Sequence, residues 1–292
     1  MTYSTVSFLS DYGLDDEFVG VVKAVIHDLA PDATIIDLTH GIPPHDVRAG
    51  SLALARAIQY VPAGVVLAVV DPGVGTARRA VAVEVAGGAG VLVGPDNGLL
   101  APAVSLAGGA ERAVSLTSTE HQLPAPGPTF AGRDVFAPAA AHLCAGVPLE
   151  ALGDPIDPAG LLPGVVPLTR IEDGDLHAEV LWVDRYGNAQ LNVSPEEVED
   201  YGDRIGLRMG ETRRTGVRAD AYAAIGTGQI GLVVDSYGLV SIALDRRSAA
   251  EELRLAPGDT VVLERLEDGG GGAGNVGGVT TPVTLRPRER PQ

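Results

Sequence analysis

The sequence predicts an α/β amino-terminal domain with a mainly parallel sheet, followed by a smaller all-β, barrel-like carboxy-terminal domain. Three observations carry this. Up to about residue 150, short apolar runs alternate with stripes at helical spacing, strand then helix then strand. Residues 153–167 are then punctuated by Pro155, Pro158, Pro163 and Pro167, which is linker chemistry. After them the chain breaks into short strands separated by Gly, Asn and Asp turns. The expected units are an α/β domain over 1–160, a linker over 161–170, a β-barrel-like domain over 171–266, and a flexible tail over 267–292 that is glycine-rich and then basic.

The elements follow in order. Residues 5–10 form an apolar-leaning run that ends in Ser10-Asp11-Tyr12-Gly13, so a strand delivers Asp11 into a turn. Asp15, Asp16 and Glu17 precede Phe18, Val21, Val22, Val25, Ile26 and Leu29, an apolar stripe with acids at its positive end, which predicts a helix over 17–29. Residues 34–38 read as a second strand, and the loop from Thr39 to Asp46 leads into a helix over 47–60. Residues 65–70, rich in β-branched side chains and bounded by Pro62 and Gly64, read as a buried parallel strand. Its exit carries Asp71-Pro72-Gly73-Val74-Gly75-Thr76-Ala77-Arg78. Ligands bind at the carboxyl ends of such strands, so Asp71 and Arg78 are a candidate chemical pair, although Asp-Pro-Gly is also ordinary turn chemistry. Residues 80–85 and 90–93 are further strands, and Gly94-Pro95-Asp96-Asn97-Gly98 is a third tight loop at a strand end. Residues 107–128 lack a clear period and read as a long functional connection, after which an alanine-rich helix spans 135–144. Beyond the linker, strands are expected over 177–183, 188–193, 204–209, 230–234, 240–244 and 260–265.

Composition narrows the function. A net charge of −17 leaves no basic patch for a nucleic-acid backbone, so nucleic acid is excluded as a partner. The single cysteine, Cys144, forbids an internal disulfide, and with His142 it supplies two soft ligands where structural zinc takes four; it reads as a small buried side chain. No charged-then-apolar leader opens the chain, and no apolar run approaches the roughly 20 residues of a membrane span, so a soluble cytoplasmic protein without membrane contact is expected.

Several motifs fail. The acids at 15–17 do not make a phosphatase or magnesium site, because Gly13 stands where that chemistry needs a second aspartate. His40, His45 and Asp46 do not match a ligand spacing, so both histidines read as solvated or capping and no metal is expected. Gly73-Val74-Gly75 would place the third glycine of a dinucleotide fingerprint at Arg78, and neither a triphosphate loop nor a serine elbow is present. What remains is a set of carboxylates and amides at loop ends: Asp11, Asp71, Asp96, Asn97, Asp184 and Asn188. A carboxylate accepts both hydroxyls of a ribose and an amide pairs with a purine edge, which suits a nucleoside.

The segments Ser10-Asp11-Tyr12-Gly13, Asp37-Leu38-Thr39-His40-Gly41-Ile42-Pro43-Pro44, Val70-Asp71-Pro72-Gly73-Val74-Gly75-Thr76-Ala77-Arg78, Val93-Gly94-Pro95-Asp96-Asn97-Gly98, Thr129-Phe130-Ala131-Gly132-Arg133-Asp134 and Asp184-Arg185-Tyr186-Gly187-Asn188 resemble, in this order, the S-adenosylmethionine hydroxide adenosyltransferases. These are adenosine-forming hydrolases related to fluorinases and chlorinases, and the resemblance runs to about Asp259. It implies a homotrimer with active sites between one subunit's N-terminal domain and its neighbour's C-terminal domain. It also implies hydrolysis of S-adenosyl-L-methionine to adenosine and L-methionine, without a cofactor. Asp11 would hold the ribose hydroxyls, Asn188 the adenine edge, and Asp184 with Ser236 the methionine end. Asp71 and Arg78 match two members of an Asp-Arg-His set thought to position or activate water. The third member is missing: Ala131 stands at the family histidine, as an engineered replacement or the mark of a divergent member. The halogenase relatives carry tyrosine there and lack the Asp71–Arg78 loop, so the intact loop favours water over halide, while Gly132 beside Ala131 leaves room for an anion. Slow turnover is therefore expected, the alternatives being a halogenase or a non-catalytic sensor of S-adenosylmethionine or adenosine.

Overall fold

The computed structural model describes residues 2–266; the expected tail over 267–292 lies outside them. The first sheet is built from β1 (Thr5–Ser10), β2 (Thr34–Thr39), β3 (Gly64–Val69), β4 (Ala80–Val85), β5 (Gly90–Pro95), β6 (Ala110–Ser115) and β7 (Asp154–Ile156) in the order β2-β1-β3-β5-β4-β6-β7. The pairs β1–β2, β1–β3 and β3–β5 are parallel. The pairs β4–β5, β4–β6 and β6–β7 are antiparallel, which makes the sheet mixed. A single short turn at 86–89 joins β4 to β5 and dictates the reversal, since parallel neighbours need a longer crossover.

Four helices cover this sheet. Alternate residues of each strand face opposite sides. Val6, Phe8, Val65, Leu67 and Val69 pack with Val19, Val22 and Ile26 of α1 (Phe18–Leu29) and with α4 (Ala137–Cys144). Leu9, Val66, Ala68 and Val70 pack on the other face with Leu54 of α2 (Val47–Ala57) and Ala103 of α3 (Ala101–Leu106). Asp46 caps α2 by accepting the Ala49 N–H at 2.8 Å. The strand order reverses at β1: the chain goes from β1 outward to β2, then back to β3 on the other side. The crevice between the carboxyl ends of β1 and β3 is thus a topological switch point, the place where open α/β sheets bind ligands.

Two strands lie where the sequence reads as connection. β6 sits inside 107–128 and β7 inside the proline-rich 153–167. In β6, Arg112 reaches Glu84 of β4, with Nε to Oε1 at 2.8 Å, so charged neighbours replace the apolar alternation expected of a strand.

The second domain comprises β8 (Arg170–Glu172), β9 (Asp175–Val183), β10 (Ala189–Leu191), β11 (Arg204–Met209), β12 (Thr212–Arg218), β13 (Ile230–Val234), β14 (Val240–Leu244), α5 (Ala249–Leu253) and β15 (Thr260–Arg265). The order β10-β14-β13-β12-β11-β15-β9 closes through a β9–β10 pairing, giving a seven-stranded barrel with β8 hairpinned onto β9. Closure removes the sheet's open edges. Its interior holds Val180, Leu191, Leu207, Ile242 and Leu263. Helix α2 packs on β9, and an Arg48–Glu179 ion pair joins them.

Candidate active site

Both carboxylates that leave the central strands stand at the switch point. Asp11 follows β1 and Asp71 follows β3, and the Asp11 N–H donates to the Val69 carbonyl at 3.3 Å. The segment around Asp11 is clasped by His40. Its carbonyl accepts the Gly13 N–H at 2.8 Å, and its Nδ1 lies 2.8 Å from Ser10 Oγ. Nε2 lies 3.1 Å from Asp37 Oδ1, and Asp37 is ion-paired with Lys23 at 2.5 Å. Those two partners, with burial opposing them, hold the Asp37 carboxyl below its ordinary value. A carboxylate only accepts, so His40 Nε2 carries a proton and donates to Asp37. Ser10 Oγ in turn accepts the Tyr12 N–H at 3.4 Å. The reading of His40 as solvated or capping is therefore corrected: it is 6 % exposed, a buried link between two strand exits. His45 is exposed, with φ +68°, and its backbone N–H donates to Asp11 Oδ2 at 2.9 Å. That left-handed backbone, rare outside glycine, aims the amide at the carboxylate.

Asp71 and Arg78 meet. Arg78 Nε donates to Asp71 Oδ1 at 3.0 Å and Nη2 to Oδ2, a planar fork on a carboxylate. The two side chains are only 13 % and 6 % exposed. Nη1 donates to the Arg79 carbonyl at 2.7 Å, and the guanidinium lies over Phe136, 5.5 Å from its centroid. The loop between the pair is tight. Val74 N–H reaches the Asp71 carbonyl at 3.2 Å, and Gly75, at φ +77°, passes so close to the Pro128 carbonyl that a Cβ would lie 3.0 Å from it. Burial raises the Asp71 carboxyl above its ordinary value, against the pull of Arg78 and with a push from Asp11.

An aromatic wall that sequence reasoning did not single out stands beside the pair. Tyr12 packs against Phe18 and Phe130 at centroid distances of 5.8 and 5.7 Å, and Phe18 against Phe130 at 5.1 Å. Burial, with Asp11 and Asp71 adding to it, pushes the Tyr12 hydroxyl far above its ordinary range, so it stays a neutral donor. The missed signal is the Tyr12-x5-Phe18 spacing straight after a candidate ribose carboxylate. Ala131, half-buried, follows Phe130 and opens the π-turn Gly132–Phe136, whose last residue lies beneath Arg78. A Cβ on Gly132 would collide with the Tyr12 hydroxyl. Arg133 and Asp134 bind each other, Nε to Oδ1 at 2.6 Å, and so complete the turn structurally.

Asp96 and Asn97 are engaged in the fold. Asp96 accepts from Arg79 Nε at 2.9 Å and from the Leu162 N–H at 2.8 Å, pinning the linker to the sheet edge. Asn97 donates to the Val70 carbonyl at 2.9 Å. Cys144 is buried in the core and its thiol is pushed up to about 11 by desolvation, as befits an inert side chain.

The barrel brings together the other candidates. Asp184 Oδ2 accepts from Asn188 Nδ2 at 2.8 Å, and its Oδ1 from the Tyr186 and Asn188 N–H groups at 2.9 and 2.8 Å. Ser236 is exposed at the tip of the β13–β14 hairpin, whose turn Asp235 organises through the Tyr237 N–H at 2.8 Å. Gln190 Nε2 donates to Asp235 at 2.6 Å and ties the two loops together. Burial raises the hydroxyl of Tyr222, 42 % exposed, above its ordinary value, with Asp235 and then Asp184 adding to it. Sequence reasoning missed it. Among the described residues, no hydrogen bond or ion pair joins this barrel group to Asp11, Asp71 or Arg78. Nor does any group of three or more His, Cys, Asp or Glu residues among them have the arrangement of a metal site, and no helix there is long and apolar enough to cross a membrane.

Comparison with known proteins bears on this geometry. Residues 6–153 match the model of the SAM hydroxide adenosyltransferase N-terminal domain and residues 178–262 that of its C-terminal domain. The (R)-S-adenosyl-L-methionine hydrolase of Salinispora tropica is 44% identical over 254 residues, covering 87% of this chain and 95% of that protein. The protein of that name from Thermus thermophilus is 44% identical over 269 residues, covering 88% and 98%. A fluorinase of Actinopolyspora mzabensis is 27% identical over 296 residues, covering 89% and 97%. The crystal structure of an uncharacterized conserved protein from Thermotoga maritima superposes with a TM-score of 0.82 at 34% identity, covering 89% of this chain and all of that one. This chain belongs to the SAM hydroxide adenosyltransferase family.

Proposed function

We propose that this chain hydrolyses S-adenosyl-L-methionine to adenosine and L-methionine. The single observation that carries the reading is the buried Asp71–Arg78 fork at the β1/β3 switch point, beside Asp11. Water attacks the ribose C5′ in line with the sulfonium, the new C5′–O bond forms as C5′–S breaks, and the electron pair stays on sulfur. Methionine leaves as a neutral thioether, so no general acid and no cofactor are required.

The difficulty lies with the nucleophile. Free water has a pKa of about 15.7, and a nearby cation favours its deprotonated form. Arg78 supplies that field, while Asp71 directs a hydrogen bond to the water, and its raised carboxyl makes it a better proton acceptor than an exposed aspartate. Asp11, its carboxylate oriented by the His45 amide, takes the ribose hydroxyls. Attack on a sulfonium also neutralises charge, which a closed site favours. Ala131 offers no proton acceptor where the family histidine would stand, so turnover is slow.

The barrel residues Asp184, Asn188 and Ser236, with Tyr222 beside them, serve the adenine edge and methionine end in a neighbouring copy's site. A homotrimer is supported by two half-sites that no hydrogen bond or ion pair joins among the described residues, and the cytoplasm is its expected place. The greater identity to hydrolases than to a fluorinase favours water over halide. Incubation with S-adenosyl-L-methionine in sodium chloride, followed by chromatography, tests the reading. Equal amounts of adenosine and methionine support it. A 5′-chlorinated nucleoside assigns a halogenase instead, and binding without product, even with histidine restored at position 131, assigns a sensor.

A further inference from the structure

A cavity of about 430 Å³ lies between α2 and β9, on the α2 face of the sheet. Leu9, Leu38, Ile42 and Leu52 line it from the first domain and Leu181, Trp182 and Tyr237 from the second, with Arg56 between them. Asp11, Asp71 and Arg78 do not line it; Phe136, beneath Arg78, belongs to the core on the opposite face. The cavity is therefore separate from the Asp11, Asp71 and Arg78 cluster, while Tyr237 adjoins Ser236 of the barrel group.

Arg56 is the feature that the fold does not explain. Its guanidinium stacks over the Trp182 ring, 4.3 Å from the centroid, and stands 5.8 Å from that of Tyr237. Aromatic stacking engages the flat face of a guanidinium and leaves its donor edge free. Nη1 is shut off from solvent without a hydrogen-bond partner, whereas Nε and Nη2 are open; among the described residues neither of these makes a hydrogen bond and no carboxylate forms an ion pair with Arg56. Asp235 is close enough to be felt, but Oδ1 accepts from the Tyr237 and Leu239 amides, and Oδ2 accepts from Gln190 and Ser241. Burial weighs against the charge on Arg56, and a buried donor left unpaired is destabilising. The cation is held in place with its donor edge unanswered.

We infer that this interdomain cavity binds a small apolar carboxylate, with Arg56 pairing its charged end. A planar carboxylate matches the open Nε–Nη2 edge of the guanidinium. The apolar lining suits a hydrocarbon body and disfavours a strongly hydrated phosphate dianion. A second negative charge is unwelcome too, because Asp46, ten residues before Arg56 on the same helix and so about 15 Å away, faces the cavity's other end. An occupant touching both α2 and the barrel ties the two domains together and so acts on the loop that carries Ser236 and Tyr237.

The chain supplies its own probe, because Trp182 is its single tryptophan and lines the cavity. Sodium hexanoate is titrated against the full chain while tryptophan fluorescence is followed, with hexylamine hydrochloride and sodium acetate as controls. The expected result is a saturable change with hexanoate alone. Arg56→Met should weaken it by about tenfold or more, the loss of one charge-assisted hydrogen bond, and Arg56→Lys by less. Unchanged melting of each variant shows that the fold survives; if Arg56→Met melts early, Arg56→Lys carries the comparison. The proposal is overturned if hexanoate gives no saturable signal, if hexylamine or acetate gives the same one, or if the folded variants bind as the parent does. No arm depends on hydrolysis.

Discussion

Arg78 holds Asp71 through two parallel hydrogen bonds while its own guanidinium rests on the face of Phe136, so the turn that Ala131 opens also braces the ion pair. The pair is shielded from water. A carboxylate with a raised pKa is kept ionised by its partner there, and removing that partner strands it.

Arg78→Met should therefore lower stability by about 3 kcal/mol and cut adenosine formation by at least about a hundredfold. Arg78→Lys keeps the charge but loses the fork and should fall between. Urea unfolding and single-turnover product formation measure the two effects. Wild-type rates in Arg78→Met would remove the pair from the mechanism.

His40 touches no substrate in this reading and acts by positioning Asp11. His40→Ala keeps the carbonyl that binds Gly13 but loses the link from Asp37 to Ser10. A ribose carboxylate grips ground state and transition state alike, so KM should rise by about tenfold with kcat little changed. Steady-state kinetics on the Ala131→His background make the split measurable. A fall in kcat alone would contradict the positioning role.

Gly132→Ala drives a methyl group into the Tyr12 hydroxyl. It should cost about 1–3 kcal/mol by overpacking and disturb the aromatic wall. Tyr12→Phe removes the oxygen in question but leaves the ring carbon and Phe130 close by, so the double variant should recover part of that loss. Thermal melts of the two single variants and the double close the cycle; simple additivity would rule out the clash.

His142 is held below the ordinary imidazole value of about 6.5 by burial and then by His121, whose ring lies 4.8 Å away, centroid to centroid. The unfolded chain thus takes up this proton first as pH falls. Stability from this group is present above about pH 6.5 and is lost as the pH drops through the lower folded value. His142→Gln should flatten the decline in melting temperature below pH 6.5. An unchanged slope would exclude the group.

The parts of the fold legible in the sequence were those whose information is local. β1 and β5 are short apolar runs, β3 is a β-branched one, and α1 carries an unbroken apolar stripe. β6 was hidden because Glu111 and Arg112 occupy strand positions and are satisfied by residues far along the chain, such as Glu84. β12, Thr-Arg-Arg-Thr-Gly-Val-Arg, was hidden in the same way: its strand character comes from its place between β11 and β13 in a closed barrel. At the site, Asp71 and Arg78 lie on one loop and could be paired from spacing alone. His40 could not, because its partner Ser10 is thirty residues away and the link exists only once β1 and β2 lie side by side.

The most direct test compares adenosine release from S-adenosyl-L-methionine by this chain and by Ala131→His. A general base contributes about 10² to 10⁴ in rate, so the histidine variant should be faster by a factor in that range, with adenosine as product even in chloride. If neither protein forms adenosine, or if the product is a chlorinated nucleoside, Asp71 and Arg78 do not serve the hydrolysis proposed for them.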